Sequence, residues 1–67
     1  MDVLKRNGRN VRRLREAKGL SQEQLAFEAD MHRTYLSGIK RGVRNPTATV
    51  LQRLAVALGC VIGDLFA

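Results

Sequence analysis

The sequence predicts an all-α fold, and three observations carry that prediction. Leu, Val, Ala and Ile recur at helical spacing along the chain, with apolar residues at 45% and aromatic residues at only 4%. Helix start and stop signals alternate at short intervals. Apolar periodicity resumes within a few residues of every break, with no repeat, low-complexity tract or linker between. The 67 residues therefore form a single domain, 1–67, near the lower size at which a core assembles without disulfides or a metal.

The first helical segment ends at Lys18, because Gly19 is a natural left-handed C-cap and Leu20 can fold back onto the last turn. Asn7-Gly8 interrupts its start. Projected at about 100° per residue, it groups Leu4, Val11 and Leu14 on one arc and Lys5, Arg6, Arg9, Arg12 and Arg13 opposite. Arg15 falls near Leu4 and Val11, on the packing side.

Ser21 with Gln24 three residues on is a capping-box pattern and opens a second helix. That helix turns Leu25, Ala26 and Ala29 inward and stops near Asp30, whose short polar side chain tolerates the left-handed conformation. A third helix runs from about His32 to Lys40, anchored by Leu36 and Ile39 and ended by Gly42. Pro46-Thr47 stops the loop and caps a fourth, striped by Val50, Leu51, Leu54, Ala55 and Leu58 and ended by Gly59. The chain closes with one helical turn around Ile62 to Phe66 that brings Leu65 onto the core.

Twelve Lys and Arg against six Asp and Glu give a net charge of +6, a balance that suits a polyanionic partner. Cys60 is the only cysteine and His32 the only histidine, so neither an internal disulfide nor a Cys/His zinc site can be built, and no cofactor is called for. Cys60, among Leu58, Val61 and Ile62, reads as a buried small hydrophobe. Neither a membrane span nor a signal peptide is visible, which predicts a cytoplasmic, nucleoid-associated protein. The chain has no phosphate-binding glycine loop, no carboxylate pair and no nucleophile beside a base, so an enzyme is not expected.

Residues 21–40 place two short helices around a tight turn, with Ala26 where they cross, which is a helix-turn-helix layout. In such a layout the second helix enters the major groove of DNA, here about His32 to Lys40. Leu20-Ser21-Gln22-Glu23-Gln24-Leu25-Ala26, then Thr34-Tyr35-Leu36-Ser37, Arg41-Gly42, Arg44-Asn45-Pro46, Leu54-Ala55 and Leu58-Gly59 together resemble the phage-repressor and Cro-like (Xre-type) helix-turn-helix family. The pattern also runs through the controller proteins of restriction-modification systems.

The resemblance implies a compact five-helix, lambda-repressor-like domain that binds double-stranded DNA. It implies that Arg33 and Thr34 face the bases, Arg being able to donate twice to guanine and Thr to bond a base or touch a thymine methyl. His32, Tyr35 and Ser37 stand next to them, although Tyr35 can equally be half buried against the core. Gln22, with Ser21 at the same helix start, is expected to bond a phosphate; Arg41, Arg44 and Asn45 lie in the loop expected to run along the sugar-phosphate backbone. Gly38 is another position that often faces the groove.

Two positions depart from the family pattern. Asp30 stands where glycine is common, at small cost. Lys40 stands where an acidic residue commonly pairs with the arginine matching Arg15, so that pairing is expected to be lost at about 1 kcal/mol or more. Val61, Ile62 and Phe66 either complete the thin core or form a dimer patch, or do some of each; a homodimer would set two reading helices about 34 Å apart on a palindromic operator, blocking or recruiting RNA polymerase. An antitoxin-like protein-interaction module is the alternative of another class.

Overall fold

The structure, a computed structural model, describes residues 2–67. Helix α1 spans Val3–Lys18, α2 Gln22–Glu28, α3 Arg33–Lys40 and α4 Ala48–Leu58, and a 3₁₀ turn spans Ile62–Phe66. The class is all-α, but the fifth element is this 3₁₀ turn, so the described residues form four α-helices rather than five. The left-handed Gly59 ends α4, and the following segment is closed by Val61 N donating to Asp64 Oδ2 at 3.3 Å.

Helix α1 begins at Asp2, whose carboxylate accepts from the Leu4 and Lys5 amides at 2.9 and 3.4 Å. It then runs unbroken through Asn7-Gly8, against the sequence expectation. Gly8 is there because α3 crosses at that point: a Cβ on it would lie 2.7 Å from the Ile39 carbonyl oxygen and would meet that of Lys40 as well. Asn7 is buried beside it, and its Nδ2 donates to the Leu65 carbonyl at 2.6 Å. Asn10 donates to the same carbonyl at 3.1 Å and to that of Ala67 at 2.8 Å. The packing arc of α1 is thus Asn7, Gly8, Asn10 and Val11, with Leu4 and Leu14 only half-buried.

The remaining elements follow their local signals. Gly19 and Gly59 adopt φ of 75° and 71°, which lets the next residue's amide reach back to Arg15 O and Ala55 O. Ser21 forms the full capping box with Gln24, and Thr47 Oγ1 accepts from Val50 N at 3.2 Å. Asp30 carries φ 55°, the left-handed turn between α2 and α3.

The core is built from Val11, Leu25, Leu36, Ile39, Leu54 and Leu65, each essentially without solvent exposure, and small Ala26, Ala29, Ala55 and Ala57 let the helices approach. Cys60 is half-buried and packs against this core rather than within it. Lys18 at the end of α1 donates from Nζ to the Ala57 carbonyl at 2.9 Å, a cation at the C-terminal end of α4. No helix of the described residues is long and apolar enough to cross a membrane.

Candidate nucleic-acid interface

Helix α3 is amphipathic for a simple reason of spacing. Leu36 and Ile39 face the core, which turns Arg33, Thr34 and, one turn later, Ser37 to one outer side. Arg33 and Thr34 are exposed and Ser37 half-exposed. His32 is the N-cap residue with extended backbone, and its side chain makes no capping bond, so the imidazole is available at the helix entrance. Tyr35 is half-buried and packs against the core, which favours its structural reading over a base contact.

The N-terminus of α2 abuts this surface. Ser21 is exposed, and its hydroxyl oxygen accepts from Gln24 N at 3.0 Å. Gln22 bridges the two helices: its Nε2 lies 3.5 Å from the Arg33 carbonyl oxygen, and its Oε1 accepts from Lys40 Nζ at 2.8 Å. After α3 the loop exposes Arg41, Arg44 and Asn45. Gly38, one turn after Thr34 on the same side of the helix, is covered by the Arg44 stem, which occupies the space a Cβ would need, and its carbonyl accepts from the Val43 and Arg44 amides at 3.0 and 3.2 Å. Arg44 is thereby held across α3.

Two charged groups complete the site, and neither role was read from the sequence. Glu23 approaches Arg33 at 3.7 Å, with both side chains more than two-thirds exposed, so solvent screens the pair and Arg33 is easily released. Residues ten apart across a turn give no periodic signal of such a pair. Lys40 is the second. Its pKa is lowered from the ordinary 10.5, chiefly by burial and then by the neighbouring Arg15 and Arg12 guanidinium groups. Arg15, 13% exposed at its side chain, donates from Nη1 to the Leu20 carbonyl at 2.7 Å and comes within 3.9 Å of Glu16. Its Nε is buried without a partner. Lys40 and Arg15 are both cations and do not pair, and Arg15 finds the Leu20 carbonyl and Glu16 instead.

The helix-turn-helix family model matches residues 11–65, most of the chain and the whole of this surface. The chain belongs to the helix-turn-helix family. It is similar to the control protein C.BamHI of Bacillus amyloliquefaciens, 48% identical over 59 residues that cover 87% of this chain and 73% of that one. Among solved structures it resembles the restriction-modification controller protein C.AhdI from Aeromonas hydrophila, with TM-score 0.91 and 44% identity over 94% of this chain and 96% of that one. It also resembles the controller protein C.Esp1396I, solved as a tetramer in complex with its natural 35 base-pair operator, with TM-score 0.88 and 32% identity over 98% and 87% of the two chains. This helix-turn-helix chain is accordingly a DNA-binding transcription regulator, and its similarity to controller proteins and transcriptional regulators does not favour the antitoxin-like alternative.

The helix-turn-helix proper, α2 and α3, is held from outside by α1. The most extensive helix pair in the fold is α1 with α3, not α2 with α3. After α4, Val61 and Phe66 are exposed, 68% and 42%, and Ile62 is half-buried against the core. Val56 on α4 is also exposed at 69%, a residue the apolar stripe gave no reason to single out.

Proposed function

We propose that the protein is a transcriptional regulator of the controller or repressor type that binds a palindromic operator as a homodimer. The observation that carries this reading is the exposed N-terminal side of α3, where Arg33 and Thr34 project beside a helix start bearing Gln22. Arg33 donates to a guanine edge and Thr34 contacts the neighbouring base. Gln22 and Ser21 bond a phosphate at the α2 N-terminus, and Arg41, Arg44 and Asn45 add salt-dependent contacts along the backbone. His32 and Ser37 border the bases, and Tyr35 supports the helix.

Dimension argues for two copies. The domain spans 28 Å at its longest, less than the roughly 34 Å between successive major grooves on one face of DNA. One copy therefore reads one half-site, and Val61, Ile62 and Phe66 supply an apolar patch for the second. Bound across a promoter, the dimer represses by excluding RNA polymerase.

The test is selection of genomic fragments with purified protein at physiological salt, then quantitative binding of the enriched DNA by wild type and Arg33→Ala. A palindromic motif whose discrimination falls about 10- to 100-fold with Arg33→Ala supports the reading. Salt-sensitive binding with no motif overturns it.

A further inference from the structure

We propose that Lys40 is a positioning residue that fixes the orientation of the Gln22 side-chain amide, so that Gln22 presents its N–H groups, and not its oxygen, to the DNA backbone. This rests on the reading that Gln22 bonds a phosphate.

The geometry is specific. A glutamine amide has one accepting and one donating end, and only the donating end can bind a phosphate oxygen. Lys40 Nζ, at the last residue of α3, donates to Gln22 Oε1 at 2.8 Å. An ammonium has three donors and no acceptor, so a flipped amide would set N–H against N–H and lose the bond. The amide nitrogen is therefore turned the other way, toward the first turn of α3, where it meets the Arg33 carbonyl at 3.5 Å. A bond that long is weak, and it yields readily to a charged phosphate oxygen, which is the stronger acceptor.

The cation that does this is itself poorly placed for stability. Lys40 sits partly buried beside Arg15 and Arg12, and Arg15 has a buried Nε without a partner. A carboxylate at position 40 would serve Arg15 better. It would also accept from the Gln22 amide and turn Oε1 toward the phosphates. Lys40 thus gives up packing electrostatics in α1 for donor orientation at the α2 N-terminus.

The experiment is a double-mutant cycle on the full chain, with the palindromic duplex enriched above as the probe. Gln22→Ala should weaken binding about tenfold and Lys40→Met about three- to tenfold, while the double variant binds no more weakly than Gln22→Ala alone. In the free protein, Lys40→Met should also shift the Gln22 side-chain amide resonances toward those of a solvent-exposed glutamine, a change a purely structural role would not produce. Losses that multiply in the double variant mean that Lys40 contacts phosphate itself and overturn the inference, as does unchanged binding by Lys40→Met when Gln22→Ala is weakened. Equal binding by Gln22→Ala and wild type also overturns it, yet leaves the regulator reading standing if Arg33→Ala still loses discrimination. Failure of wild type to bind any duplex overturns both.

Discussion

Gly8 lies at a mid-helix position where alanine is intrinsically better by about 0.8–1 kcal/mol, so helix propensity alone predicts that Gly8→Ala stabilises the protein. The crossing with α3 predicts the reverse. The added Cβ would sit 2.7 Å from the Ile39 carbonyl oxygen and 2.8 Å from the Lys40 carbonyl carbon, both backbone atoms that no rotamer change can move. Ordinary contact begins near 3.4 Å, so α1 and α3 must part by roughly 0.7 Å, a gap that forfeits a quarter to a half of each dispersion contact along the pair. Overpacking of this kind costs about 1–3 kcal/mol, and a rigid obstacle puts Gly8 at the upper end. Net of the propensity gain, destabilisation is about 2 kcal/mol, which lowers the melting temperature by roughly 8–16 °C in a domain of this size. Gly63→Ala is the control, because a Cβ there meets nothing within 4 Å. Thermal melts followed by circular dichroism should show Gly63→Ala near wild type and Gly8→Ala well below it. A Gly8→Ala melting temperature at or above wild type would refute the close crossing.

Lys40→Glu should raise the melting temperature by roughly 4–16 °C, about 1–2 kcal/mol, by giving Arg15 a carboxylate; an unchanged or lower value sinks the account of that cluster. Glu23→Gln should leave stability within about 0.5 kcal/mol, since the Arg33 pair is exposed, and should tighten binding to the selected duplex about two- to fivefold; weaker binding in fluorescence anisotropy contradicts it. Asn7→Ala and Asn10→Ala should each cost about 1 kcal/mol in urea unfolding, and the double variant more than their sum, because only then does the buried Leu65 carbonyl lose both donors. Simple additivity would mean that water replaces them. Burial, with Asp64 adding to it, raises the Cys60 thiol above its ordinary 9.0. The folded state therefore holds that proton more tightly than the unfolded chain, and the stability it contributes is full below pH 9 and lost as pH rises through the folded value. Cys60→Ala should flatten this alkaline loss in a pH series of melts, and an unaltered slope would rule the thiol out.

Legibility followed the kind of signal each element depends on. Caps and periodic apolar stripes are local, so the ends of α2, α3 and α4, the left-handed turn at Asp30 and the inward set Leu25, Ala26, Ala29, Leu36, Ile39 and Leu54 could all be read from the chain. Helix α1 misled because, apart from Val11, the residues it buries are not apolar. Asn7, Gly8 and Asn10 look like a break, yet each answers to a partner outside the helix: a carbonyl 58 residues away for Asn7, and the backbone of α3 for Gly8. The same limit applied at the site. The family resemblance singles out Arg33 and Thr34, whereas the contacts of Glu23 with Arg33 and of Lys40 with Gln22 arise only when α2 and α3 are folded together. Lys40 was noticed as a charge that fails Arg15; its own partner could not be inferred from position in the chain.

These contacts together explain how so small a domain can hold a reading helix steady. Eight residues of α3 are too few to be stable alone, so their position must come from elsewhere. The carboxyl-terminal end is clamped by α1, where Gly8 lets the two backbones meet at Ile39 and Lys40. The amino-terminal end is linked to the start of α2 through Gln22 and Glu23. Lys40 belongs to both arrangements, since it ends the clamped segment and reaches the Gln22 side chain from there. A change in how α1 packs on α3 is therefore transmitted to the Gln22 amide as well as to the pose of Arg33. Variants such as Gly8→Ala should accordingly lose DNA affinity at temperatures where they remain folded, whereas core variants remote from this crossing should lose affinity only as they melt.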